Sequence, residues 1–133
     1  MTSKYKNIKI KLAGSVFDSK KEAKRYVELQ ELEKYGKVKN LERQKAFELL
    51  PKQTTTAGAV RKVEYVADFY YYDVDRGEYI AEDIKSSFTK KDPVYIIKKK
   101  LFLWRYDITF FENEGKNGIY CKKVTNYKLK KGK

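Results

Sequence analysis

The stretch RKVEYVADFYYYDVDRGEYIAEDIKSS, residues 61–87, decides the fold of this chain. Its first half, 61–74, is rich in β-branched and aromatic residues and predicts a long strand. Residues 75–77, Asp-Arg-Gly, predict a turn, and a second strand over 78–86 completes a hairpin. That second strand nevertheless contains three charged residues, Glu82, Asp83 and Lys85. Charges inside a strand are costly unless they are exposed, paired or functional.

The alternation of side chains along a strand separates these charges. Asp83 and Lys85 share one face, and Glu82 points to the other. A register centred on the turn places Asp68 opposite a residue near 83, so the two aspartates can be cross-strand neighbours. Because adjacent carboxylates repel unless a cation lies between them, the pairing predicts a site for a hard divalent metal ion. We expect Glu82 to pair with a Lys or Arg on the opposite face; with a bulge in the strand it could replace Asp83 as ligand.

The rest of the chain alternates between helical and strand patterns. Ser19 is a good N-cap and Gly36 a good stop, so a helix is predicted over 20–35. Residues 41–50 fit helix or strand, and Pro51 favours a strand that ends there. The other predicted elements are an N-terminal strand pair or arm (1–15, with the pair turning at residues 13–14), loops at 53–59 and 87–92, a helix at 93–105 capped by Asp92, strands at 107–112 and 118–127, and a basic tail at 126–133.

This order of elements predicts one α/β (α+β) domain over 1–133, with a mixed sheet flanked by helices. The helix at 93–105 stands between two strands. It is therefore expected to form a right-handed crossover between parallel strands.

The charge balance indicates the kind of partner. The chain has 31 Lys+Arg against 18 Asp+Glu, a formal net charge of +13. Such a field attracts polyanions, so nucleic acid is the first candidate partner and an anionic membrane surface the second. Aromatic residues interleave with the lysines and no strongly amphipathic membrane helix is present, which favours nucleic acid.

Composition also excludes several chemistries. The chain contains no His, which rules out Ser-His-Asp triads, Cys-His pairs and His-based metal sites. Its single cysteine, Cys121, excludes an intramolecular disulfide. No apolar run approaches the ~20 residues that cross a bilayer, and no signal-peptide pattern opens the sequence, so we expect a cytosolic protein. Hydrolysis would have to rest on carboxylates, Lys, Tyr and a metal ion held by oxygen ligands.

The order carboxylate strand, then acid-x-Lys strand, then helix resembles the core of the PD-(D/E)XK nuclease superfamily. Here it reads Asp68, followed by Asp83-Ile84-Lys85. Ala67 stands where the motif name has Pro. The chain is also similar to a family of small phage-encoded proteins long catalogued as a domain of unknown function, and more loosely to Holliday-junction resolvases. The shared segments run in order over roughly 16–105: FDSKKEAKRY, a Q-x-x-F pair (Gln44 and Phe47), YVADF, EDIK and a Lys-rich helix.

The resemblance implies a restriction-endonuclease-like core and a metal-dependent DNA endonuclease, acting on branched or junction DNA in phage recombination or packaging. It implies that Asp68 and Asp83 ligate Mg²⁺ or Mn²⁺ and that Lys85 orients the attacking water or stabilises the phosphate. Glu22 would bind the metal directly or through water, although Ser19-x-x-Glu22 also reads as a capping box. Gln44 would lie near the site. The implied DNA contacts are Lys20, Lys21, Arg25, Lys98 and Lys99.

The sequence leaves open the oligomeric state and whether the protein cuts the nucleic acid that it binds. Nucleases of this kind often act as dimers, so a homodimer is one arrangement for cutting two strands. The alternative function is a nucleic-acid-binding module of the same fold that does not cut.

Overall fold

A computed structural model describes residues 10–12, 15–17, 19–86, 89–115 and 118–124. Within these ranges the chain forms nine strands, two α-helices and a short 3-10 turn at Thr89–Lys91. In chain order the elements are β1 Ile10–Leu12, β2 Ser15–Phe17, α1 Lys20–Lys34, β3 Val38–Leu50, β4 Gln53–Thr55, β5 Gly58–Val60, β6 Val63–Asp73, β7 Glu78–Ile84, α2 Pro93–Arg105, β8 Thr109–Asn113 and β9 Gly118–Cys121.

The central sheet has five strands in the order β3-β6-β7-β8-β9. Its strands pair antiparallel except for β7 and β8, which are parallel and are joined by α2. The predicted α+β class with a mixed sheet and flanking helices is therefore confirmed. The parallel pair requires a crossover connection, and α2 supplies it.

The two helices cover opposite faces of this sheet. Leu29 of α1 packs in one buried cluster with Val38, Phe69, Tyr71 and Ile80. Phe102 of α2 belongs to the other cluster, whose buried members are Phe47, Leu49, Tyr65, Ala67, Ala81, Tyr95, Phe102 and Phe110. Three layers result, helix on sheet on helix, with an apolar core on each side of the sheet.

The regular alternation of side chains between the two faces of the sheet is interrupted in the middle of β6. Tyr65 and Ala67 face α2, whereas Phe69 and Tyr71 face α1, although strict alternation would put all four on one side. The change falls at Asp68. Opposite it in β3, between the pairs Arg43↔Phe69 and Lys45↔Ala67, lies Gln44, whose φ of 52° is in the left-handed region. A non-glycine residue held there is strained, and such strain is concentrated at functional positions.

Several predicted boundaries need adjustment. The ambiguous segment 41–50 is a strand, as Pro51 indicates, but it begins earlier, at Val38. The second hairpin strand ends at Ile84 rather than 86, and the last two strands are Thr109–Asn113 and Gly118–Cys121, the latter much shorter than predicted. At the N-terminus β1 and β2 form the expected antiparallel pair. The predicted tail at 126–133 lies outside the described residues.

The prediction of a loop at 53–59 is wrong, because these residues belong to a second hairpin. Strands β4 and β5 pair antiparallel over Gln53↔Val60, Thr54↔Ala59 and Thr55↔Gly58. The Thr55 hydroxyl closes the turn, accepting from the Ala57 N–H at 3.1 Å and donating to the Gly58 carbonyl at 2.8 Å. Threonine and valine favour extended backbone, and Gly58 tolerates a φ of +120°.

No helix in the described part of the chain is long and apolar enough to cross a membrane.

Candidate functional site

The main-chain ladder between β6 and β7 stops where two aspartates meet. Its last pair is Phe69↔Glu82, so Asp68 and Asp83 come next along the two strands. At this point the two side-chain carboxylates, rather than main-chain carbonyl groups, accept the hydrogen bonds from the N–H groups of the neighbouring strand. Asp83 Oδ1 accepts from the Asp68 N–H at 3.4 Å, and Asp68 Oδ2 accepts from the Ile84 N–H at 2.8 Å. The predicted register is thereby confirmed, and side chains hold the strands together where the main-chain ladder ends.

Lys85, the residue directly after β7, joins this pair. Its Nζ lies 2.9 Å from Asp83 Oδ2, and its ammonium lies 4.1 Å from the centre of the Tyr95 ring in α2. The side chain is 19% exposed. An ion pair on one side and an aromatic face on the other fix the direction in which the ammonium points.

Burial and mutual repulsion shift the acidity of both aspartates. Burial raises the pKa of Asp68 well above its usual range, and the neighbouring Asp83 charge raises it further. Burial also raises the pKa of Asp83, which Lys85 partly offsets. A pair of carboxyl groups in this state favours either a shared proton or a bound cation.

Glu22 reaches the site from the first turn of α1. The Ser19 hydroxyl caps the helix by accepting from the Glu22 N–H at 3.1 Å, so this half of the capping box uses only the Glu22 backbone. The buried carboxylate accepts from Gln44 Nε2 at 3.1 Å and lies 3.8 Å from Arg43 Nη2. Its charge contributes to the raised pKa of Asp68, as expected for a neighbour of the pair. Capping and proximity to the aspartates therefore coexist.

A cleft of about 550 Å³ opens over these groups. Asp68 and Asp83 line it, together with Glu22 and Lys85. Lys21 from α1 and Lys98 from α2 line its two sides, and Lys21 Nζ donates to the Lys85 carbonyl at 3.4 Å. Lys20 is exposed at the start of α1. The acidic pair is thus bordered by cations, an arrangement suited to a polyanion whose charge must approach carboxylates.

Glu82 occupies the opposite face, as the alternation predicts. It is fully buried and receives two bonds from Arg25, from Nε at 2.7 Å and from Nη2 at 3.1 Å. Tyr71 and Asn113 also donate to it. The predicted pairing with a basic residue is confirmed. The idea that Glu82 replaces Asp83 as ligand finds no support in this geometry, since its carboxylate lies across the sheet from Asp68.

Two of the residues predicted to contact DNA, Arg25 and Lys99, are paired with carboxylates inside the protein. Arg25 is engaged with buried Glu82; burial opposes the charge of the guanidinium, but the bonds and attraction of that carboxylate raise its pKa. Lys99 Nζ lies 3.4 Å from Glu112 Oε2 and 5.5 Å from the Phe110 ring. Both cations compensate buried carboxylates. If Arg25 turned to solvent, Glu82 would be buried without its cation. If Lys99 did so, Glu112 would keep Lys90, whose Nζ lies 4.0 Å from Glu112 Oε1.

Glu112 is a neighbour of the site that the sequence patterns did not single out. In the parallel pair of β7 and β8, Asp83 lies opposite Glu112, which is buried and accepts from the Tyr95 hydroxyl. Asp68, Asp83 and Glu112 thus lie on three adjacent strands. The signal was present in TFFEN, residues 109–113, because an acid inside an apolar strand is the feature that singled out Asp83. Its position depends on strand pairing that the sequence does not specify.

The donor set fits a small, hard divalent ion. Among the residues that the structure describes, no three Asp, Glu, Cys or His side chains converge closely enough to hold a metal ion. Mg²⁺ commonly takes only one or two carboxylates and completes its shell with water and phosphate, so Asp68 and Asp83 suffice. The Tyr65 hydroxyl beside them is buried without a hydrogen-bond partner of normal geometry in the described structure, and burial together with the Asp83 charge raises its pKa. A water bound at the pair would give this hydroxyl a partner.

The fold and the site together define an α+β domain in which two carboxylates and a lysine meet where a mixed sheet opens. The chain belongs to the family described as protein of unknown function (DUF1064), whose model matches residues 2–126. Comparison of the chain with curated proteins and with solved structures finds no match in either.

Proposed function

We propose that the protein is a metal-dependent DNA endonuclease that hydrolyses phosphodiester bonds, with branched or junction DNA as its substrate. By its resemblance to the phage-encoded family, we place this activity in the host cytosol, during recombination or packaging of phage DNA. The observation that carries the proposal is the group of Asp68 in β6, Asp83 in β7 and Lys85 just after β7, which meet in a cleft bordered by lysines.

The residues divide the chemistry between them. Asp68 and Asp83 would hold Mg²⁺ or Mn²⁺, with Glu22 as a further oxygen donor beside them. When bound, the ion would supply Lewis-acid activation of water and neutralise charge on the phosphate. Lys85 has an ammonium restrained by Asp83 and Tyr95, so it can donate to a non-bridging phosphate oxygen or orient a water. Lys21 and Lys98 contribute positive charge around the phosphate backbone.

The test is cleavage of labelled linear, nicked, flap and four-way-junction DNA in Mg²⁺, Mn²⁺ or EDTA. The wild type should cut only with a metal ion. Asp83→Asn keeps the shape of the side chain and removes its charge, and we expect a loss of at least about 100-fold, or about 3 kcal/mol. Asp75→Asn makes the same change at a carboxylate that is 70% exposed at the far hairpin turn, and should cut normally. If no substrate is cut in any metal, the endonuclease proposal is wrong.

A second variant separates the ligands from the lysine. Lys85→Gln should lose activity to a similar extent but keep the rise in melting temperature that Mg²⁺ or Mn²⁺ produces in the wild type. Asp83→Asn should lose both the cleavage activity and the metal-induced rise in melting temperature, because removal of a ligand weakens binding of the metal ion to the folded state.

The alternative function, a binding module that does not cut, is favoured by one observation. Only two of the carboxylates in the described part of the chain meet directly at the cleft, with no three-residue metal cluster. A pure binder would bind the same DNA equally well with Asp68→Asn or in EDTA, and would give no metal-dependent product.

A further inference from the structure

The β4–β5 hairpin and its flanks, residues 51–62, form a separate arm. All of these residues are exposed, and the adjoining Leu50 is still 38% exposed. The arm is ordered by its own three-pair ladder and by the Thr55 hydroxyl rather than by packing on the core. An isolated two-stranded hairpin is at best marginally stable in water. A stretch that holds its shape without contributing to the core suggests that the shape serves a contact outside the domain.

The arm leaves the sheet at the end where the cleft opens. Strands β3 and β6 continue to pair beyond Asp68 as far as Leu50↔Val63, whereas β7 ends at Ile84, beside Asp68. The paired strands β3 and β6 therefore extend past the site, into a region where β7 no longer accompanies them. At about 3.3 Å per residue, Val63 lies about 17 Å from Asp68 along the strand, and Arg61 about 23 Å. Phosphates of one strand in a duplex are spaced about 3.4 Å apart along the axis, so these distances correspond to about five to seven base pairs.

The charge of the arm has one sign. Between Glu48 and Glu64 the sequence has no Asp or Glu, while Lys52, Arg61 and Lys62 supply three cations. Lys62 lies 2.9 Å from Glu64, and neither Lys52 nor Arg61 has an ion-pair partner within the described structure. The tip, residues 55–58, is Thr-Thr-Ala-Gly, with small side chains and hydroxyls. A narrow basic ribbon with a small polar tip suits the phosphate backbone and a groove, because the major groove admits a two-stranded β-ribbon.

We propose that this arm is a DNA-binding element, which contacts duplex phosphates through Lys52, Arg61 and Lys62 about half a helical turn from the cleft. This inference rests on the proposed function in that the bound duplex is the substrate of the cleft. The arm adds a second DNA contact at a fixed distance from the phosphodiester bond that is cut. An arm that exchanges between two copies of the chain is the other contact that an exposed hairpin could make, and sedimentation detects it.

The experiment compares two triple variants by DNA binding alone. The arm variant carries Lys52→Gln, Arg61→Gln and Lys62→Gln. The control carries Lys34→Gln, Lys37→Gln and Lys39→Gln, three exposed lysines near the opposite end of the β3–β6 ladder. Each set lowers the net charge equally and includes one lysine beside a carboxylate, Lys62 with Glu64 and Lys37 with Asp75. Binding to a labelled duplex is measured by anisotropy in EDTA across salt concentrations, in the Asp83→Asn background.

The arm variant should weaken binding at least about tenfold and reduce the slope of log K against log salt by about 2 to 3, since each lost phosphate contact removes about 0.9. The control variant should show a much smaller loss of affinity and a much smaller change in the salt slope. Equal losses in the two variants would mean that only the overall field matters, and would overturn the proposal. So would a wild type that does not bind the duplex, or an arm variant that changes sedimentation mass instead of affinity.

The two proposals fail separately. If the arm variant loses binding while the wild type never cuts DNA, the arm proposal stands and the endonuclease proposal falls. If the wild type cuts DNA and both triple variants bind alike, the endonuclease proposal stands and the arm proposal falls. A shortened arm, with residues 53–60 replaced by an Asn-Gly turn, provides a second check that does not depend on charge. It should weaken binding while leaving the melting temperature nearly unchanged, because the arm contributes nothing to the core; tight binding by this variant would contradict the proposal.

Discussion

Asp68→Asn should stabilise the protein in the absence of metal ions, although it removes a residue of the site. In the wild type the carboxyl groups of Asp68 and Asp83 are buried side by side, and burial and repulsion together raise the cost of ionising the pair. The asparagine amide oxygen can still accept from the Ile84 N–H, which lies 2.8 Å from Asp68 Oδ2. Its NH₂ group can donate to Asp83. The substitution therefore removes a carboxyl group whose ionisation is opposed by burial and by the Asp83 charge, and it keeps the existing contact.

The size of the effect follows from the charges on the pair. If both were ionised, two carboxylates at a spacing of about 4 Å would repel by about 4 kcal/mol at an effective dielectric constant of about 20. The Lys85 ammonium, 2.9 Å from Asp83, offsets much of this repulsion. A net gain of about 1–2 kcal/mol remains. For a chain of this length each kcal/mol raises the melting temperature by about 3–4 °C, so a rise of about 3–8 °C is expected.

The gain should depend on pH with a definite sign. The folded-state pKa values of the pair lie above the value of about 3.9 for an aspartate in an unfolded chain, so the folded wild type binds more protons. Its stability therefore falls as pH rises from about 4 through the folded-state pKa values. The amide that replaces the Asp68 carboxyl in the variant has no proton to lose. The advantage of the variant should therefore be small at about pH 5 and largest at about pH 8.

Thermal or urea unfolding in EDTA at both pH values is the assay. Asp75→Asn is the matched control, because it removes the same charge at a mostly exposed site that lies 3.5 Å from Lys37. That change should alter stability by less than about 0.5 kcal/mol at either pH. If Asp68→Asn is no more stable than the wild type at the higher pH, or its advantage does not shrink at the lower pH, the two carboxylates do not repel each other to this extent.

Two further predictions concern the supports of the site. Arg25→Ala should destabilise the protein by about 3–5 kcal/mol in urea unfolding, because it leaves Glu82 buried without its cation; a change below about 1 kcal/mol would contradict this. Tyr95→Phe removes the hydroxyl bonded to Glu112 but keeps the ring against Lys85, so the cleavage rate should fall less than about threefold, whereas Tyr95→Leu should lose about tenfold as the ring contact disappears. Equal rates for both Tyr95 variants would exclude the ring as a positioning element.

Local patterns predicted the part of the site that comes from one hairpin. The turn at residues 75–77 fixes which residues of β6 and β7 are opposite each other, because the two strands are consecutive and the side-chain period is two. Asp68, Asp83 and Lys85 were therefore predicted together, and the structure brings them together. Ser19 and Asp92, as N-caps, predicted the two helix starts for the same reason, since each cap acts on its own neighbours.

Contacts between distant segments were not predictable in this way. Arg25 and Glu82 are 57 residues apart, and their pairing depends on which face of the sheet α1 covers. Glu112 joins the site only because β8 pairs with β7 in one register out of several that its apolar pattern allows. The sequence predicts a loop in place of the arm because the two short strands have no apolar face, so hydrophobic alternation cannot reveal them.

The sequence by itself determined the chemistry that is available and the hairpin that concentrates it. The absence of His, the excess of Lys and the acids inside strands are properties of composition and local order, which need no tertiary contact. Tertiary structure decided which charges are used as counterions and which remain free for a partner. Arg25 and Lys99 point inward because the buried carboxylates of Glu82 and Glu112 require a cation. Lys21 and Lys98 line the cleft instead, where they can contact a partner.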